Sequence, residues 1–207
     1  MGRRDRELFQ NIEIETVAAE GKSLAHVNGK VIFVPFAVPG DVVDIQVKIK
    51  RKGYMEGYVT NMIKPSPDRI EPFCSHFGVC GGCKWQSLPY STQLQFKQQQ
   101  VTDQLTRIGH LKLPEITPIL GSENEQYYRN KLEFTFSSKR WIESLTEAEN
   151  LPAEQRTGLG FHIAGLFDKV LDIEHCYLQP SPSNEIRLFV KQFAMKNGYT
   201  FFDLREQ

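Results

Sequence analysis

Between Ile12 and about Ile63 the chain alternates short apolar runs with turn residues. Lys22 to Val27 is one such run, and Asn28-Gly29 after it is a strong signal for a two-residue hairpin turn. Val31-Ile32-Phe33-Val34 follows as an apolar strand that stops at Pro35. Pro39-Gly40-Asp41 reads as a turn, with proline where φ near −65° is wanted and glycine where φ can be positive. From Val42 to Lys50 the alternation is clean: Val43, Ile45, Val47 and Ile49 on one face, and Asp44, Gln46, Lys48 and Lys50 on the other. Gly53 separates this run from Tyr54 to Ile63. About five short strands at this spacing predict a small β-barrel of the OB type, with an SH3-like barrel as the competing arrangement.

Lys64 to Pro72 holds three prolines in nine residues. Such a stretch continues neither a helix nor a central strand, so a domain boundary is placed there. Helical spacing then predicts a helix from about Ser91 to Ile108. Leu94, Gln98, Val101, Leu105 and Ile108 would face inward, Gln93, Lys97, Gln100 and Asp103 outward, with Gly109 at the C′ position. Tyr128 to Ser137 alternates like a strand, Leu132, Phe134 and Phe136 sharing one face. Thr146 to Arg156 is polar and reads as a loop, and Leu159–Ile163 and Val170–Ile173 read as strands around Ala164-Gly165. A second helix is expected from Ser181-Pro182 to Asn197-Gly198, carrying Ile186, Phe189, Val190 and Phe193 inward. The expected class is α+β: an OB-like barrel over residues 1–66 and a mixed α/β domain over 67–207. The last residues, Phe202 to Gln207, carry no cap or turn, which reads as a cut chain.

Composition narrows the function classes. Hydrophobic residues make up 40% and aromatic residues 11% of the 207, enough for a core and too many for disorder. Formal net charge is zero, so any nucleic-acid footprint must be local. No apolar run approaches the roughly 20 residues of a membrane span. The N-terminus, Met1 to Glu7, is charged and has no signal-peptide core after it. Gly2 hints only weakly at myristoylation, because Arg6 stands where serine or threonine is wanted. A cytoplasmic location is expected, and there four cysteines point to metal or catalysis rather than disulfides.

Three of those cysteines fall within ten residues: Cys74-x5-Cys80-Gly81-Gly82-Cys83. The fourth, Cys176, stands beside His175 at the end of an expected strand. Four thiolates suit a 4Fe–4S cluster, and Gly81-Gly82 would let the backbone wrap close to it. A structural zinc site takes four cysteines too, although only Cys80 and Cys83 have the knuckle spacing. A thioredoxin-like pair at Cys80 and Cys83 would leave Cys74 and Cys176 unused. Inert buried cysteines are the plainest alternative, which the clustering disfavours. His76 and His175, next to the cysteines, read as surface or supporting residues.

The order of motifs carries a resemblance. Glu20-Gly21-Lys22, Val31 to Pro35, Val38 to Asp41, Lys48 to Tyr54 and Pro65 to Ile70 resemble a TRAM domain, an OB-like RNA-binding module. Pro72-x-Cys74, the cysteine loop, Gln86, Tyr90-x2-Gln93-Leu94, Phe96-Lys97, Leu105-x-Arg107-Ile108-Gly109, Tyr128-Arg129-Asn130-Lys131 and Ile173-x2-Cys176 follow in turn. Together they resemble the RNA uracil-C5 methyltransferases that act on large-subunit ribosomal RNA or transfer RNA. The resemblance implies Cys74, Cys80, Cys83 and Cys176 as ligands of a 4Fe–4S cluster. It implies, too, a Rossmann-like domain that binds S-adenosylmethionine and carries a catalytic cysteine. Neither a cofactor loop nor a spare cysteine occurs in this chain, so no catalytic residue is expected in it and no activity from it alone. The radical methylthiotransferases share a TRAM domain and a cluster, but their Cys-x3-Cys-x2-Cys spacing and C-terminal TRAM disagree with this order. A standalone RNA-binding or redox-sensing Fe–S or zinc protein is the other expectation.

RNA contacts are expected at Lys48, Lys50, Arg51, Lys52 and Tyr54, where cations stand beside an aromatic, as on single-strand-binding surfaces. Arg129 and Lys131 are the second group, with Glu133 on the same face as a competing partner. Ribosomal RNA is expected ahead of transfer RNA, with no membrane and no obligate protein partner.

Overall fold

The computed structural model describes residues 7–144, 146 and 150–203. The expectations for the charged N-terminus at 1–6, for part of the polar loop at 147–149 and for the chain end at 204–207 lie outside the described residues. The fold is mixed α+β, and its contacts gather into two units: Met1–Phe73 with Lys84–Gly121, and Cys74–Cys83 with Ser122–Gln207.

The first unit is built on a curled six-stranded sheet, β1 (Leu8–Glu13), β2 (Thr16–Val17), β3 (Lys22–Val27), β4 (Lys30–Pro35), β5 (Val42–Lys50) and β6 (Tyr54–Lys64), in the order β1-β5-β6-β4-β3-β2. Asn28 and Gly29 both take positive φ, 52° and 72°, and close the β3–β4 hairpin in register at Val27↔Lys30. β4 and β6 run parallel, Val31 opposite Tyr54, while the other pairs are antiparallel. Val43, Ile45 and Val47 point into the core with Ile14, Ile32, Val34 and Met55. Their neighbour Asp44 is buried too, against the alternation. It accepts the Asn11 N–H at 2.9 Å and the Asn61 side-chain N–H at 3.3 Å, so a polar pocket replaces solvent on that face.

The proline-rich stretch is tied down. Gly40 takes φ of +87°, and the turn it makes presents Asp41 to that stretch. Asp41, with 0% exposure, accepts the backbone N–H of Val38 (2.7 Å) and of Ser66 (2.9 Å) on its carboxylate. The Arg69 guanidinium grips the same carboxylate with Nε at 3.1 Å and Nη2 at 2.5 Å. Burial pushes the Asp41 carboxyl pKa up, but Arg69 and the two amides outweigh it and hold it below 3.8.

Helix α1 spans Tyr90–Asp103, and its last turn widens over Gln104–Ile108, where the Gly109 N–H reaches back to the Gln104 carbonyl at 2.9 Å. The expected inward face is not buried: Val101 and Leu105 are exposed and Ile108 is 77% exposed. Gln93, expected outward, instead turns in and donates to the carbonyls of Trp85 and Leu88 at 2.8 Å each. Periodicity located the helix, but the loop at 85–88 needed an amide donor, and that need set which side faces it.

The second unit holds a three-stranded sheet, β7 (Thr135–Ser137), β8 (Gly158–Ile163) and β9 (Leu166–Asp172), in that order. The strand expected from Tyr128 is confined to β7. Ahead of it the backbone pairs instead with the loop after Cys176: Tyr127 N–H donates to the Tyr177 carbonyl (2.7 Å) and Arg129 N–H to that of Leu178 (2.8 Å). Helix α2 spans Ser183–Lys196 as expected, but its faces are reversed. Ile186 and Phe189 are 57% and 66% exposed, while Asn184, Arg187 and Ala194 are the buried residues. Among the described residues no helix is long and apolar enough to cross a membrane.

Candidate functional site

The loop Cys74–Cys83 is a chain of turns held by its own backbone: Phe77 N–H to the Cys74 carbonyl (3.0 Å) and Cys80 N–H to that of His76 (2.9 Å). It joins β8 through a bridge between Cys80 and Ile163 and through the Gly81 N–H on the His162 carbonyl at 3.2 Å. At Gly81 a Cβ would stand 2.7 Å from that carbonyl oxygen, so the approach requires glycine. Gly82 donates its N–H to the Cys80 Sγ at 3.4 Å, the close wrap expected of the glycine pair.

Cys80 and Cys176 are buried side by side, packed with Ile173 and bordered by Leu132, Phe134 and Phe161. No disulfide joins any of the four cysteines. Burial raises the Cys80 thiol pKa to about 11, against the Gly82 amide that lowers it, and repulsion from Cys83, Cys74 and Cys176 adds to the rise. Burial raises Cys176 as well, partly offset by the Leu178 amide and by the nearby Arg187 and Arg129. Four thiolates around one zinc at about 2.3 Å lie about 3.8 Å from one another. Among the described residues no three His, Cys, Asp or Glu side chains are grouped so as to hold a metal ion. What the structure brings together is Cys80 and Cys176, in one buried cluster with Ile173, with the Cys74–Cys83 loop joined to β8 beside them.

Two residues that the sequence pattern does not single out organise the Cys176 side. Asn184 of α2 accepts the Cys176 N–H (2.8 Å) and donates to the Cys176 carbonyl (2.9 Å). Arg187, one turn on and 4% exposed, donates to the carbonyls of Ile173 and Glu174, the latter at 3.0 Å, and lies 5.3 Å from the Phe134 ring. Polar positions on an amphipathic helix read as solvent-facing, so only the misplaced apolar stripe was a signal. His76 is engaged too, accepting the Glu174 N–H on Nε2 at 3.1 Å.

The expected RNA-contact residues divide between the units. On the first, Lys48, Lys50, Arg51, Lys52 and Tyr54 are exposed around the β5–β6 turn, closed by the Arg51 N–H on the Tyr54 carbonyl at 2.9 Å. Lys50 is spent on Glu7 at 2.6 Å, and the Tyr54 ring meets Phe33 at 5.8 Å. On the second, Arg129 is exposed, and Lys131 rather than Arg129 pairs with Glu133, at 3.0 Å.

Residues 9–60 match the TRAM domain model. The chain is 54% identical, over 92% of its length, to an uncharacterized RNA methyltransferase of Bacteroides thetaiotaomicron. It belongs to the TRAM-containing RNA methyltransferase family. A second relative is the 23S rRNA (uracil(1939)-C(5))-methyltransferase RlmD of Nitrosococcus oceani, 39% identical over 63% of this chain. The chain spans 42% of the first relative's length and 30% of the second's. Among solved structures, the tRNA (uracil-54, C5)-methyltransferase of Pyrococcus abyssi, in complex with S-adenosyl-L-homocysteine, shares the fold. Its TM-score is 0.57 and its identity 22%, over 95% of this chain and 39% of that one.

Proposed function

We propose that this chain is the RNA-recognition and 4Fe–4S-binding portion of an S-adenosylmethionine-dependent RNA uracil-C5 methyltransferase, acting in the cytoplasm on ribosomal RNA. Residues 1–66 would serve as the TRAM module and 67–207 as the cluster domain. The observation that carries the reading is the TRAM match joined to 39% identity with a 23S rRNA uracil methyltransferase. Cys74, Cys80, Cys83 and Cys176 would hold the cluster. A 4Fe–4S cluster takes one thiolate on each of its four irons, the number these cysteines supply. Bound there, it would tie Cys176 to the Cys74–Cys83 loop, a structural role. With all four cysteines so used, the nucleophile, S-adenosylmethionine and the methyl transfer belong to the part of the relatives this chain does not cover.

Iron and acid-labile sulfide, measured on protein purified without oxygen, test the proposal. About four of each per chain are expected, lost on Cys83→Ser. Zinc taken up in their place under iron-replete conditions would overturn the cluster. Labelled S-adenosylmethionine is expected to leave RNA unlabelled when this chain alone is added, and label transfer would overturn the assignment of chemistry elsewhere.

Charge reversal at Arg51 and Lys52 is expected to weaken RNA binding and lower the slope of log affinity against log salt by about 0.7 for each phosphate no longer neutralised. An unchanged slope removes the β5–β6 turn from the interface.

A further inference from the structure

We propose that Tyr127, His175 and Tyr177 form a stacking platform for an unpaired RNA base, with Arg129 receiving an adjoining phosphate. The proposal rests on the RNA-binding function proposed above and goes beyond it by giving the second unit its own recognition site.

The three rings are gathered from two segments. His175 and Tyr177 meet edge to face with centroids 4.5 Å apart, and Tyr127 stands 6.4 Å from His175 and 6.0 Å from Tyr177. The Tyr127 hydroxyl lies 3.3 Å from the His175 Nε2. Edge-to-face contact engages the face of only one ring of a pair, and the Tyr127 and His175 rings stay exposed to a further partner. The cluster is not core: Tyr127 is 40% exposed and His175 is exposed with it.

The backbone beneath the rings is fixed. Tyr127 and Arg129 are tied by their amides to the carbonyls of Tyr177 and Leu178, at 2.7 and 2.8 Å. Between His175 and Tyr177 lies Cys176, held on both its amide and its carbonyl by Asn184. Exposed rings on so constrained a backbone lose little freedom when a base stacks on them.

Charge and shape fit the same occupant. Arg129 is exposed and has no carboxylate partner among the described residues. Tyr127 and Arg129 also line a groove of about 670 Å³ that continues past Asn130 to Gln179 and Ser183, a size that admits a nucleotide. Leu132, Phe134 and Phe136 also line that groove, so a sugar face has an apolar surface to rest on. Every base has a π-face, so this site would take single strands of varied sequence and reject duplex, where both faces of each base are already stacked.

Fluorescence anisotropy with a fluorescein-labelled single-stranded RNA oligonucleotide tests the platform in the full chain. Tyr127→Ala and His175→Ala are each expected to weaken binding roughly 5- to 150-fold, the worth of one stacked base. Tyr127→Phe keeps the ring and is expected to bind as the unchanged protein does. Ultraviolet crosslinking of that unchanged protein to the same RNA, mapped by mass spectrometry, is expected to mark at least one of the three rings, whatever the variants do to folding. Native-like melting of the alanine variants with unchanged affinity overturns the platform, as do crosslinks confined to Tyr54. No binding by the unchanged protein would instead sink the RNA-binding function itself, along with the platform that rests on it.

Discussion

Asp41→Ala is expected to cost the first unit about 3–5 kcal/mol, the usual penalty for removing one member of a buried ion pair. The carboxylate has 0% exposure and satisfies four donors: two guanidinium nitrogens of Arg69 and the amides of Val38 and Ser66. Removing it leaves Arg69 without its counter-charge and frees the Ser66 stretch from the Pro39-Gly40 turn. Amide hydrogen exchange across β1 to β6 reads the result, with protection falling roughly 150- to 5,000-fold. Native-like protection in the variant would mean that the sheet holds without this knot. The pH dependence follows from the sign of the shift. The folded carboxyl titrates below its ordinary 3.8, so its contribution is full above that value and is lost as pH falls through the lower folded one. Asp41→Asn should lose this part of the acid sensitivity, and an acid-unfolding curve of unchanged steepness would count against the assignment.

Arg187→Ala is expected to destabilise the second unit by about 2–5 kcal/mol, since each buried carbonyl left without a donor costs about 1–3 kcal/mol and the stem's packing on Phe134 goes with it. Arg187→Lys should recover little. A lysine ammonium is a compact point charge, whereas the fork of Arg187 reaches Ile173, Glu174 and the Asn184 Oδ1 (3.3 Å) together. Thermal unfolding followed by circular dichroism reads the loss. The same variant is expected to take up less iron, because the turn from Ile173 to Cys176 is shaped by those bonds. Wild-type melting and iron content in Arg187→Ala would reduce the clamp to a bystander.

What could be read in advance was local. Asn28-Gly29 specifies its hairpin because two consecutive positive-φ residues fit that turn and few other sequences do. At Pro39-Gly40 it is a proline followed by one positive-φ glycine that makes the turn, and Val43, Ile45 and Val47 face the core as alternation requires. The helices were found for the same reason, but their orientation was not. A stripe such as Ile186, Phe189, Val190 and Phe193 says that one side of α2 is apolar; it does not say what covers that side. In the described residues the Cys176 turn has the stronger claim on α2, since its carbonyls need Arg187 and Asn184. Strand length failed similarly at Tyr128: alternation persists to Ser137, yet the amides of Tyr127 and Arg129 find carbonyls in the loop after Cys176. For the site, the clustering of Cys74, Cys80 and Cys83 was visible in their spacing, whereas Cys176, which packs with Cys80, comes from a segment far along the chain. Lys131 pairing with Glu133, and the Tyr127–His175–Tyr177 cluster, depend on side-chain geometry and on segments far apart in the chain, which no spacing encodes.

The chain enters the second unit at Cys74, leaves it after Cys83, and returns only at Ser122. On a ribosome this itinerary becomes a delay. Cys176 follows Cys83 by 93 residues, and synthesis runs at about 5–20 residues per second, so three thiols wait roughly 5–20 s for the fourth. During that interval β8, which carries the His162 carbonyl that Gly81 binds, is also missing for most of the time. The first unit has every strand it needs by Lys64 and its remaining segment by Gly121, so it can fold first and hold the loop by both ends. Any group bound by all four cysteines would have to be loaded after Cys176 leaves the ribosome.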